Sequence, residues 1–229
     1  MKTIAIILLA LSCSFATFAQ SDTTPYSRQF LFFVGMQSPD LTELNTVFDT
    51  YKYPQLNATN FSVGLGLLKF KNRFVWGVDA CKYTQSQRKD TITSSIRSQG
   101  IGVSCGYLYL KKEIFQMYSL LGWNYSWTTV KVINDIISNT PFSSYASSIG
   151  NQLEMNTWAL TANVATHANV ILKVSKDPNE TERLVLGLRG GYYFPLHKTK
   201  WTTNKAKLDK GPTINPGGFY AMLMLGFTF

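Results

Sequence analysis

Charge, histidine and cysteine are scarce in this 229-residue sequence, which carries 15% charged residues, two histidines and three cysteines. With only His167 and His197 to draw on, and no close cysteine spacing, the chain offers no metal-ligand cluster. It has no glycine-rich phosphate cradle either, because its glycines recur at every second position within apolar segments, where they relieve crowding. Past the leader there is no apolar run long enough for a membrane-spanning helix. Lys and Arg outnumber Asp and Glu by 22 to 13, for a net charge of +9, yet they are scattered among loops and turns. Without a basic helix or an aromatic-basic stripe, nucleic acid is excluded as a partner. No cofactor, no metal and no catalytic constellation are expected.

What is present begins with an export leader. Lys2 is a charged start, Ile4 to Leu11 an apolar stretch too short to span a bilayer, and Ala16-Thr-Phe-Ala19 a small-residue cleavage site. Residues 1–19 therefore read as a signal peptide and 20–229 as one domain. Cys13 follows Ala10-Leu11-Ser12, a poor lipidation signal beside the conventional site downstream.

The last stretch, Gly217 to Phe229, sets Phe219, Ala221, Leu223, Leu225, Phe227 and Phe229 on one face and Gly218, Tyr220, Met222, Met224, Gly226 and Thr228 on the other. A period of two is a strand, and about ten residues with a terminal Phe fit a transmembrane barrel strand. Seven more candidates precede it: Gln29 to Gln37, Phe61 to Leu68, Phe74 to Tyr83, Ser98 to Leu110, Phe115 to Trp127, a sixth beginning near Met155, and Arg183 to Phe194. The sixth is ambiguous from His167 to Val174. Ser38-Pro39-Asp40 reads as a helix start, with Leu41, Leu44, Val47, Phe48 and Tyr51 at helical spacing behind it. Connections alternate long and short: Ser38 to Asn60, Ser86 to Ser95, Thr128 to Glu154 and Pro195 to Pro216 are long, and the turns between them short. The expected fold is an all-β, eight-stranded antiparallel up-and-down transmembrane barrel with long loops outside. A soluble ligand-binding barrel would turn its apolar face inward and has no use for such a closing strand.

Parity assigns the faces. Cys81 shares parity with the inward set and Cys105 with the outward set, so the two are expected as free thiols. Tyr83, Tyr193 and Tyr220 supply bulk to a lumen only wide enough for side chains to fill. Asp79 and Arg189 lie at equal depth in strands three and seven and are both inward. A charge enclosed in a narrow barrel is costly unless paired, so the two are expected to meet, directly or through Asn163 or water, in a polar plug.

The sequence resembles the small outer-membrane β-barrel proteins of Gram-negative bacteria, the OmpA-like or porin-like group. The resemblance lies in Tyr53-Pro54 ahead of Gly64-Leu-Gly66, in Leu120-Leu-Gly122, in Leu186-Gly-Leu-Arg-Gly-Gly-Tyr192, in Trp201 with Gly211-Pro212, and in Gly218-Phe-Tyr through Leu225-Gly-Phe227. It implies residence in the bacterial outer membrane, in contact with the bilayer and lipopolysaccharide. It also implies insertion by the outer-membrane assembly machinery, with Phe227 and Phe229 in the recognised signal. No His-x-Ser pair like that of the lipid A deacylase barrels is present, and the protein is not expected to be an enzyme. A structural or interaction role through the loops is expected, with a neighbouring outer-membrane protein as partner; the alternative is a small-solute channel. Ile133, Ile136, Lys198, Lys200, Trp201, Lys205 and Lys207 are the loop candidates for binding.

Overall fold

The computed structural model describes residues 27–134, 152–173, 183–197, 200–203, 207–208 and 211–228. Eight long strands make the wall: β1 (Ser27–Gln37), β2 (Asn60–Lys71), β3 (Phe74–Lys89), β4 (Ile92–Lys111), β5 (Phe115–Asn134), β6 (Gln152–Lys173), β7 (Arg183–Pro195) and β10 (Gly218–Thr228). The helix α1 (Thr42–Thr50) lies between β1 and β2, and two short strands, β8 (Trp201–Thr202) and β9 (Lys207–Leu208), lie between β7 and β10. Every neighbouring pair in the wall is antiparallel. The order is β5-β4-β3-β2-β1-β10-β7-β6, and the pairing of β5 with β6 closes the ring. Closure leaves the wall no free edge on which another strand could template itself.

The alternation sorts side chains as parity requires. Phe32, Leu65, Ile101, Leu121, Leu188 and Leu223 point outward and are exposed, Leu223 by 62%. Leu31, Phe33, Leu68, Val75, Leu120 and Met222 point inward and are buried together. Such a continuous exposed apolar belt exceeds what a protein tolerates in water. Aromatics mark its two margins: Phe74 meets Tyr107 edge to face at one end, and Tyr125, Trp127 and Trp158 cluster at the other. The chain is a transmembrane β-barrel.

Several strands run further than their apolar alternation does. Ser86 to Ser95 is no long loop: β3 continues to Lys89, Asp90 and Thr91 make the turn, and β4 starts at Ile92. Asp90 takes the left-handed φ of 55° that such a tight reversal needs. Charged side chains obscure this hairpin in the sequence because outside a membrane a strand can be polar on both faces. Likewise the expected loop Thr128 to Glu154 begins and ends inside strands, with Val130 and Val132 buried inward and Ile133 paired with Thr93 and Gln152. Residues 135–151, with Ile136, fall outside the described part. The ambiguous end of the sixth strand is strand through Lys173.

Candidate functional site in the sealed lumen

The interior fills in layers, starting at the end where β2–β3 and β4–β5 are joined by short turns. Phe70 meets Tyr118 edge to face at 5.4 Å, and Tyr118 stacks on His167 at 4.5 Å. The Asn169 side-chain amide donates to the Tyr118 hydroxyl at 3.1 Å. His167, placed by the sequence in a strand or turn, is in fact fully buried in the lumen on β6, opposite Arg189 in register. Phe70, Tyr118 and His167 all come from strands of the wall.

Above this layer lies the polar cluster. Arg189 is 3% exposed, and its guanidinium stands 3.7 Å from the Asp79 carboxylate. Its Nε donates to the Tyr220 hydroxyl at 3.3 Å, and that hydroxyl donates to the Asn163 side-chain carbonyl at 2.9 Å. The same guanidinium lies 5.3 Å from the centroids of both the Phe33 and Tyr220 rings, within cation–π range. Asp79 comes from β3, Arg189 from β7, Tyr220 from β10 and Asn163 from β6, so the contact spans the lumen. Phe33 could not lie there if its neighbouring strand β2 carried side chains at the paired positions. A Cβ added at Gly64 would run into the Phe33 ring, and one at Gly66 would come within 3.2 Å of it.

Tyr193 packs on Tyr220 at 4.7 Å and carries the filling upward to Cys81 and Asn124. Only a void of about 20 Å³ remains there, room for a single water, with Gln37, Tyr83, Asn124 and Ser126 among its lining. Cys81 pairs with Gly100 and Cys105 with Trp76, on opposite faces of the sheet, and both thiols are free.

The outer mouth is closed by a lid. Leu41, Leu44 and Phe48 of the α1 segment, with Leu56, Trp201 and Ile214, pack onto Tyr83, Ile96, Val130, Val132 and Met155 of the wall. The helix starts after the expected Ser38-Pro39-Asp40: α1 begins at Thr42, and Asp40 accepts from the Thr42 hydroxyl at 2.7 Å and its amide at 3.0 Å. Those bonds, the hydroxyl's first, hold the Asp40 carboxyl below its ordinary value. Asn45 ties the lid to itself by donating to the Leu56 carbonyl at 2.8 Å and accepting from its amide at 2.9 Å. Glu43 accepts from the Thr213 amide at 2.7 Å, and Asp40 bridges Asn215 through the backbone, joining the first loop to the last.

The loop candidates divide. Trp201 is not presented to solvent; it is 1% exposed, at the centre of the lid, and its indole N–H donates to the Pro212 carbonyl. A large apolar ring above an open barrel mouth gains more by filling it than by facing water. Lys200 is exposed, and Lys207 sits in β9. Lys198 and Lys205 lie outside the described residues. His197, inside the expected loop Pro195 to Pro216, packs against Trp158 at 4.4 Å and accepts from the Leu160 amide at 3.4 Å. Phe227 faces the belt, 50% exposed; Phe229 and the leader lie outside the described residues. Tyr118 and His167 share the inward parity of their strands, but nothing in the sequence singled them out. Among the described residues no cluster of three or more metal-ligating side chains exists.

No protein-family model and no curated protein matches the sequence. Solved structures do. The attachment invasion locus protein Ail of Yersinia pestis is 13% identical, over 89% of this chain and 98% of that one, at a TM-score of 0.47. The outer membrane protein OprG from Pseudomonas aeruginosa is 12% identical over 88% and 95%, at 0.48. A major outer membrane protein from Thermus thermophilus is 9% identical over 90% and 99%, at 0.49. The membrane assignment stands on this chain's own ring and belt. A ring with that belt outside and a packed interior has hydrocarbon as its only fitting solvent, and the chain is a small membrane-spanning β-barrel protein with the fold of these outer-membrane barrels.

Proposed function

We propose that the protein is a closed, non-conducting barrel that acts through its extracellular surface, as a structural or interaction component rather than as a channel or an enzyme. The observation that carries this reading is the double seal of the lumen. The cluster of Asp79, Arg189, Tyr220 and Asn163 spans it at mid-height, and the lid of α1, Trp201 and Ile214 fills its mouth. Either seal alone would block a solute, and the void beside Tyr193 and Cys81 has room for one water.

The wall that stands outside the membrane supports the same reading. Strands β3 to β6 rise past the aromatic margin at Trp127 and Trp158 as a paired sheet, with Arg88 and Lys89 at its tip and Lys131 below them. Neighbouring outer-membrane proteins and the anionic sugars of lipopolysaccharide are the partners such a wall would meet. Planar-bilayer recording tests the proposal: wild-type protein should show no steady conductance. Large, steady conductance that Arg189→Ala leaves unaltered would return the protein to the small-solute channels.

A further inference from the structure

The outer wall over β2 to β5 is hollowed. A groove of about 570 Å³ lies on it, bordered by Leu67, Val78, Ala80, Ile101, Val103 and Trp123. The inward positions behind it are Gly66 and Gly102, flanking Asp79 in one paired row, and Gly64 and Gly100, flanking Cys81 in the next. Side chains there would collide with Phe33 and Asn124, which pack directly on the bare backbone, and the groove lies on the outer side of that same stretch of wall. The small Ala80 sits among the larger side chains of that surface.

The groove belongs to the apolar belt, so whatever fills it comes from the membrane. Two residues above Ala80 on the same face is Lys82, paired with Gln99, and diagonal to it is Arg97. Diagonal neighbours on a sheet face stand about 7–8 Å apart, a span that one phosphate between two cations fits. Both side chains are exposed, and neither is ion-paired with a carboxylate among the described residues. Their row continues through Trp127 and Trp158, which mark the headgroup level. This is the margin far from the short turns, hence the outer leaflet.

We propose that this is a lipid site for the phosphorylated, multiply acylated glycolipid of the outer leaflet, of the lipid A class. One acyl chain would lie in the groove over Ala80, and a sugar phosphate would bridge Lys82 and Arg97. The site needs the chain to reside in the outer membrane, but it does not need the lumen to be closed. Conductance therefore cannot decide it, and it cannot decide conductance.

Native mass spectrometry of the detergent-solubilised barrel, titrated with bisphosphorylated lipid A, its dephosphorylated form and phosphatidylglycerol, tests the proposal. The phosphorylated glycolipid should be retained about tenfold more strongly than its dephosphorylated form, the difference two solvent-exposed ion pairs would make, and more strongly than phosphatidylglycerol, whose phosphodiester carries one negative charge where a sugar phosphate monoester carries nearly two. Lys82→Gln with Arg97→Gln should abolish that preference. Ala80→Phe, which fills the groove, should weaken both glycolipids together. All three positions face outward, and heat-modifiable gel mobility checks that the variants are folded. Equal retention of phosphatidylglycerol and lipid A by the wild type would overturn the proposal whatever the variants do. So would an unchanged preference in the folded charge variant.

Discussion

Replacing Asp79 by leucine would remove one member of a buried ion pair and leave Arg189 without a counter-charge. Breaking such a pair costs about 3–5 kcal/mol. The lower end applies here, because the contact is a single one at 3.7 Å and the guanidinium keeps the Tyr220 hydroxyl and two ring faces. We expect a loss of about 3 kcal/mol, and a similar loss of about 3 kcal/mol for Arg189→Met, which strands the carboxylate in the lumen. The double variant replaces both charges by apolar groups while Tyr220 and Asn163 keep their own hydrogen bond. It should lie within about 2 kcal/mol of wild type, giving a coupling of about 4 kcal/mol. Urea unfolding of protein refolded into lipid vesicles, followed by tryptophan fluorescence and by heat-modifiable gel mobility, measures all four corners of the cycle. Additive losses, with the double variant about 6 kcal/mol below wild type, would show that the two residues act separately and would refute the pairing.

Two further perturbations act elsewhere. Leu223→Arg places a cation on the lipid face of β10 and should cost about 2–4 kcal/mol if it lies near the midplane, with a matching fall in outer-membrane levels on fractionation. The lid should be pH-sensitive. The folded Asp40 carboxyl titrates below its ordinary 3.8, so its contribution is fully present above that value and is lost as pH falls through the lower folded pKa. Hydrogen exchange of α1 amides should then speed up below about pH 4 more in wild type than in Asp40→Asn, and equal acceleration in both would place the cause elsewhere.

The membrane-embedded part of the fold was legible in the sequence because lipid on one side and a narrow lumen on the other impose strict alternation. Phe74, Trp76 and Val78 against Val75, Gly77 and Asp79 leave no second register. Equal depth in two outward-running strands was enough to bring Asp79 and Arg189 to one height. The signal fades where the membrane ends. Gln85, Ser86, Gln87 and Arg88 alternate in the structure, but chemically they look alike, so the β3–β4 hairpin read as a loop. Trp201 was misplaced for a related reason: a lone aromatic in a basic segment looks like a binding residue until Phe48, Val130 and Ile214 surround it, and those lie up to about 150 residues away in sequence. The groove was hidden by the same kind of gap. Glycines on an inner face read as relief of crowding, and the groove on the opposite surface of that wall emerges only once the strands are paired.

The membership of the Arg189 cluster bears on how the ring is checked as it closes. Phe33 comes from the first strand and Tyr220 from the last, and the two strands meet in a nine-residue register from Gln29 with Thr228 to Gln37 with Tyr220. If β10 slipped by one residue, every one of its side chains would change face, sending Tyr220 and Met222 into lipid and Leu223 into the lumen. Arg189 would then lose a hydrogen bond and a ring together, in a place where water cannot replace them. The cation thus works as a lock with one key: an arrangement built from strands at opposite ends of the chain, satisfied in one register and penalised in its neighbours. On this view, loosening the cluster would show first in the yield of correctly closed barrels, and only later in how well a finished barrel resists unfolding.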